Sequence, residues 1–199
     1  MTSLWDEWNA EGGPRYPHEK MVQFTFRAFP PERRSGTRAL DLGCGTGVHS
    51  VFLAENGFSV IGVDISPVAV ETARRRLEEA GLTADLAVAS IDEMALPARS
   101  LELVICSGVL DSTGPEVARR ALALLAPAMA PRARGAFMFA AEGDFRVLGE
   151  NPYGLYGYRE DEVRSLFADC FSEVLVDRTL TTYGGGREEQ RDWLVTVTR

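Results

Sequence analysis

The order of apolar runs along the chain predicts an α/β architecture: a doubly wound, seven-stranded, mostly parallel sheet with an antiparallel hairpin at its C-terminal edge. Three observations lead there. Short apolar segments alternate with helix-length segments through residue 141. These strands are nearly all apolar, as strands covered on both faces are. The last two strand segments, 171–181 and 193–198, are separated by too little chain for a helical crossover, so they must pair antiparallel.

The elements follow in order. Residues 1–17 are rich in Trp, Gly and Pro and lack periodicity. Met21, Val22, Phe24 and Phe26 suggest a short helix over 18–29, stopped by Pro30 and Pro31. The first strand, 39–42, runs into Gly43-Cys44-Gly45-Thr46-Gly47. Val48–Glu55 reads as a helix with Asn56-Gly57 as its stop, and 58–63 as a strand ending at Asp64. Ser66 can cap a helix that begins at Pro67 and ends at Gly81. Strands are expected at 84–89, 101–106 and 135–141, with helices at 115–129 and 159–167.

The 199 residues permit one domain or two very small ones. The sheet and its helices take residues 37–199, leaving 1–36 as an N-terminal cap or lid. Composition is that of a soluble globular chain, 45% hydrophobic and 25% charged. With 29 acidic against 21 basic residues the net charge is -8. That balance opposes bulk binding to nucleic acid and to anionic membranes. No apolar run reaches the roughly 18 residues of a membrane span, and the N-terminus has no signal-peptide pattern. Cys44, Cys106 and Cys170 fit neither a disulfide framework nor a metal spacing, which points to a reducing, cytoplasmic setting. A monomer or homodimer is expected.

The chemistry concentrates at the first strand-to-helix turn, where open α/β sheets bind ligands. Glycines there allow a tight turn and close approach to main-chain N–H groups. Asp64, 21 residues after Gly43, stands where a carboxylate can accept both ribose hydroxyls. The spacing is G-x-G-x-G with Asp41 two residues ahead, not the G-x-G-x-x-G of dinucleotide sites. An acid at that place repels a pyrophosphate and suits a ligand carrying an amino or sulfonium cation.

On these residues the chain resembles the class I S-adenosylmethionine-dependent methyltransferases, whose fold is Rossmann-like. Residues 39–47 look like that family's first motif and Val60-Ile61-Gly62-Val63-Asp64-Ile65-Ser66 like the second. Ala89-Ser90-Ile91-Asp92 is similar to the third and Leu103-Val104-Ile105-Cys106-Ser107 to the fourth. Glu102 stands near the place where many relatives open the fourth strand with an aspartate.

The resemblance implies S-adenosylmethionine as cofactor and S-adenosylhomocysteine as product. It implies that Asp41 holds the methionine amino group, directly or through water. Gly43, Cys44, Gly45 and Gly47 would form the loop against methionine and ribose, with Asp64 on the ribose hydroxyls. Ile65 would lie on the adenine face, Asp92 would accept from the adenine amino group beside the Ile91 N–H, and Ser107 would lie near the methyl. A short N-terminal segment and the absence of an inserted domain favour a small-molecule acceptor with an oxygen, nitrogen or sulfur nucleophile.

The 17-residue connection 142–158 follows a parallel strand's C-terminal end and is rich in aromatics. It reads as a substrate wall carrying Glu142, Tyr153 and Tyr156, with Arg15 and Tyr16 from the cap. Asp111 and His18 are the candidate bases; His18 has the alternative of capping its helix. His49 reads as a helix-face or core residue. Asn151-Pro152-Tyr153 is a turn, since it follows the fifth strand and not the fourth. Two other functions fit the same motifs less well. One is a non-catalytic protein that binds the cofactor or its product; the other is a nicotinamide-dependent oxidoreductase.

Overall fold

The computed structural model describes residues 4–11 and 13–199. Two helices, α1 (Leu4–Ala10) and α2 (Glu19–Ala28), precede the sheet. Then come β1 (Arg38–Leu42), α3 (Val48–Glu55), β2 (Ser59–Asp64), α4 (Pro67–Glu79), β3 (Asp85–Val88) and β4 (Leu101–Ser107). The chain continues through α5 (Leu110–Ala128), β5 (Met129–Ala140), α6 (Glu160–Ala168), β6 (Glu173–Tyr183) and β7 (Glu188–Thr198). Strand order is β3-β2-β1-β4-β5-β7-β6. The first five strands are parallel, and β7 runs antiparallel to both β5 and β6. No helix of the described residues is long and apolar enough to cross a membrane.

The period-2 alternation of the central strands builds two cores. Leu103 and Ile105 of β4, with Ala136 and Met138 of β5, pack against Met21 and Phe29 at α2 and Phe52 and Leu53 of α3. Val104 and Cys106, with Phe137 and Phe139, face α5 and α6 through Leu122, Leu125, Leu166 and Phe167. Both faces of β4 are therefore covered, which is why it reads as one unbroken apolar run.

Four elements differ from the sequence reading. Residues 4–10 are helical where no periodicity was expected: Trp5, Trp8 and Asn9 fall on one face of a helix too short to show a repeat. The helix α5 begins at Leu110, and Gly114 (φ 76°, ψ 169°) breaks it ahead of Pro115. Strand β5 begins at Met129, six residues earlier than expected, because Leu101 pairs with Met129 across an irregularity before Leu103 pairs with Arg134. Strand β7 begins at Glu188, so the final hairpin is longer and its turn tighter than expected.

The turn after β1 is held from both sides. The N–H groups of Gly43 and Cys44 donate to the Val63 carbonyl (2.8 and 2.9 Å), fastening the turn to β2. Gly47 starts α3 at φ 84°, and a Cβ there would lie 2.7 Å from the Ala73 Cβ on α4. Gly47 thus sets the approach of α3 to α4. Gly47→Ala adds a left-handed strain and a clash, so it should cost roughly 2–4 kcal/mol. Gly81→Ala carries only the strain, since nothing lies within 4 Å of its added Cβ. Urea unfolding of the two variants checks this; equal losses would contradict the packing role of Gly47.

Candidate functional site

The C-terminal ends of β1, β2 and β4 open onto one cavity of about 770 Å³. The glycine turn forms one wall through Gly43, Cys44, Gly45 and Thr46. The Asp64 carboxylate spans two main-chain donors: Oδ2 accepts from Gly45 N–H (2.8 Å) and Oδ1 from Ser66 N–H (2.9 Å). Burial raises its pKa, and those two hydrogen bonds oppose the rise. Ser66 also caps α4, accepting from Ala69 N–H (3.1 Å) and donating to Asp6 of α1 (2.5 Å). Ile65, 63% exposed, and the buried Ile91 present apolar surface to the cavity, and Ser107 lines it at the end of β4.

Across from the turn lie α1, the first turn of α5 and the 142–158 loop. Trp5 packs on Tyr153 with ring centroids 5.2 Å apart, which ties α1 to the loop. Tyr156 N–H donates to the Asp111 carbonyl (2.7 Å), and Tyr158 O–H to the Leu110 carbonyl (3.0 Å), which pin the loop's end to α5. Asp111 is 2% exposed; its Oδ2 accepts from Ala140 N–H (2.9 Å), and its Oδ1 has no partner. Burial pushes its pKa up to about 6.

His18 donates its main-chain N–H to His49 Nε2 (3.0 Å) and accepts from Lys20 N–H at Nδ1 (3.1 Å), so it does cap α2. Burial lowers both imidazoles, His49 to about 4, so both are neutral at pH 7. Arg146 reaches Asp144 through Nε (2.8 Å) and Nη2 (2.8 Å), and Asp192 through Nη2 (2.5 Å). Burial works to raise Asp144, but the hydrogen bonds from Arg146 and Arg191 outweigh it and hold that carboxyl low.

With this geometry in place, comparison with known proteins becomes informative. A methyltransferase-domain family model matches residues 39–132. The ubiquinone biosynthesis O-methyltransferase of Xanthomonas euvesicatoria is 30% identical over 171 residues, covering 80% of this chain and 71% of that protein. The chain belongs to the class I S-adenosylmethionine-dependent methyltransferases. The protein of the same name from Methylocella silvestris is 33% identical over 66% of this chain and 54% of its own length. This methyltransferase therefore spans between about half and seven-tenths of those relatives. Magnesium protoporphyrin IX methyltransferase from Synechocystis, solved with its cofactor bound, superposes with a TM-score of 0.74 at 20% identity, covering 100% of this chain and 92% of that one. That likeness shows the shared fold.

The cavity of this methyltransferase suits a cationic nucleoside. Among the described residues, Asp64, Asp111 and Glu150 line it against one guanidinium, Arg146, which Asp144 and Asp192 already hold. Such a lining disfavours a pyrophosphate and favours a sulfonium or ammonium group. Two buried acceptors at its wall, Asn9 Oδ1 and Asp111 Oδ1, lack donors. A ligand that brings N–H or O–H groups can supply them.

The structure brings together Gly43, Cys44, Gly45 and Asp64 with Ile65, Ile91 and Ser107, and with Asp111, His18, Tyr16 and Tyr153. It separates six other expected residues from the cavity lining. Asp41 is 2% exposed behind the turn, where its Oδ2 accepts from Ser50 Oγ (2.6 Å). Asp92 turns away to Ser90 Oγ (2.5 Å) and Arg120 (2.6 Å), which hold its pKa down. Gly47 packs against α4 as above. Arg15 and Glu142 are exposed outside the cavity, and the Tyr156 hydroxyl donates to Glu162 (2.7 Å). His49, expected to be a core or helix-face residue, does line the cavity.

Trp5, Trp8, Asn9 and Arg146 line it without having been singled out as site residues. The pair of tryptophans three residues apart was the available signal for the first three. Arg146 belongs to the 142–158 loop read as a substrate wall, but its pairing with Asp192, 46 residues away, had no local signal.

Burial lifts the Asp41 carboxyl from its ordinary 3.8 to about 7. The folded chain therefore keeps a proton that the unfolded chain loses near pH 4. Stability from this group falls as pH rises from about 4 to 7. Asp41→Asn carries no charge and can still accept from Ser50. It should gain on the wild type by up to roughly 4 kcal/mol between pH 4 and pH 8. Urea unfolding at both pH values checks this; a wild-type-to-variant difference independent of pH would contradict it.

Proposed function

We propose that the protein methylates a hydroxyl oxygen of a small aromatic acceptor, using S-adenosylmethionine. Asp111 is the observation that carries this reading: a buried carboxyl beside the end of β4, raised to about 6, with one oxygen fixed and the other unpartnered. A base whose pKa lies just below neutral is ionised at pH 7 and still accepts a proton readily. The curated relatives are named O-methyltransferases, which supports an oxygen nucleophile. The acceptor's shape is read from the wall of Trp5, Phe145, Tyr153 and Leu155.

The glycine turn, Asp64, Ile65 and Ile91 would hold the nucleoside, with Asp64 free to accept from ribose hydroxyls beyond its bonds from Gly45 and Ser66. When bound, the cofactor supplies an electrophilic sulfonium methyl and leaves as S-adenosylhomocysteine. Trp5, Phe145 and Tyr153 would hold the acceptor's ring and orient its oxygen toward the methyl donor, the positioning on which an in-line transfer depends. Asp111 Oδ1 takes the hydroxyl proton as the new C–O bond forms. His18 is the weaker base, because burial lowers its pKa and its Nδ1 already caps α2. Within the expected cap 1–36, α1 together with Pro14, Tyr16 and His18 covers this site. All three thiols are unpaired, which fits a cytoplasmic enzyme.

Asp111→Asn should lower kcat by about 10²–10⁴-fold while leaving S-adenosylhomocysteine affinity unchanged. In the wild type kcat/KM should rise with pH through about 6, as Asp111 becomes ionised. Transfer of labelled methyl to a panel of phenols and catechols measures both. A variant as fast as wild type would remove Asp111 from the mechanism. Tight cofactor binding with no acceptor labelled would favour a non-catalytic binding protein.

A further inference from the structure

Helix α1 spans seven residues, too few to hold together in isolation. Its position comes from what it touches. Asp6 accepts from Ser66 Oγ at the start of α4, and Trp5 packs on Tyr153 of the 142–158 loop. Between these two anchors Asn9 faces the glycine turn. Asn9 is 3% exposed. Its Nδ2 donates to the Trp5 carbonyl (2.7 Å), which fixes the orientation of the amide. Its Oδ1 then points toward the turn, 3.7 Å from where a Cβ on Gly45 would stand, and accepts no hydrogen bond.

A buried acceptor without a donor opposes the closure that buries it. The Gly45 N–H beside it is already committed to Asp64. So α1 rests against the turn with one place left for an outside N–H. The residue expected to receive the cofactor's amino group, Asp41, does not line the cavity and is bonded to Ser50. Asn9 Oδ1 is an unpartnered side-chain acceptor against the same turn.

We propose that Asn9 Oδ1 accepts a hydrogen bond from the α-ammonium group of the cofactor, and that this bond strengthens the hold of α1 on the glycine turn. The inference rests on the cofactor assignment above. Asn9 is then a cofactor-binding residue carried by the N-terminal cap, and that added hold depends on the amino-acid end of the ligand and not on its nucleoside. Asp111 Oδ1, the other unpartnered acceptor, serves the methyl acceptor and is not needed for this step.

Calorimetric titration of the full chain with two ligands tests it: S-adenosylhomocysteine, and its analogue lacking only the α-amino group. Asn9→Leu should weaken S-adenosylhomocysteine by about tenfold or more, as expected for a hydrogen bond to a charged group, and leave the desamino analogue unchanged. Asn9→Asp keeps an acceptor and should retain the wild-type preference for the amino compound. Equal weakening of both ligands by Asn9→Leu would reduce Asn9 to a structural residue and overturn the proposal, as would no change in either. A wild type that binds neither ligand would overturn the cofactor assignment and this inference with it. A wild type that binds both equally would overturn this inference alone.

Discussion

One carboxylate organises the site. Asp64 ends β2 and bonds the N–H of Gly45 on one side and the N–H of Ser66 on the other. The first bond shapes the glycine turn, and the second starts α4. Ser66 in turn reaches Asp6, so the same junction positions α1 over the cavity. A βα turn, a helix start and the N-terminal cap thus converge on a group whose remaining lone pairs face the ligand space. Burial raises the pKa of that carboxyl, and the main-chain hydrogen bonds from Ser66 and Gly45 oppose the rise.

The second organising feature is the sign of the charge. Among the described residues the cavity carries three acids, Asp64, Asp111 and Glu150, and one guanidinium, which Asp144 and Asp192 hold. Asp41 adds a further acid immediately behind the turn. Concentrating buried carboxylates here opposes folding when they ionise. A ligand with a fixed positive charge offsets that cost, whereas a dinucleotide's pyrophosphate would add to it. Burial places a proton acceptor, Asp111, near neutral pH without help from a histidine.

What was legible in the sequence follows from how local each signal is. The seven strands and the turn at residues 43–47 were legible because each is a contiguous run whose pattern is set by neighbours in sequence. The boundaries that moved, at Met129 and Glu188, lie where cross-strand pairing decides the strand end and intrinsic pattern does not. Among site residues, Asp64 could be read from its place after β2. The Asp92 bond to Arg120, 28 residues on, could not be read from the sequence. The burial of Asp41 against the Ser50 hydroxyl, nine residues on, was likewise not legible. Helix α1 has only two turns, so Trp5, Trp8 and Asn9 acquire meaning only once folded against Tyr153 and Gly45.

The measurement that bears most directly on the whole account is the affinity of S-adenosylhomocysteine for the wild type and for Asp64→Ala, by calorimetry. The wild type should bind, and the variant should lose about 10–100-fold as the charge-assisted ribose bonds and the brace on the turn disappear. Equal affinities would show that the ribose is held elsewhere and that Asp64 does not organise this site.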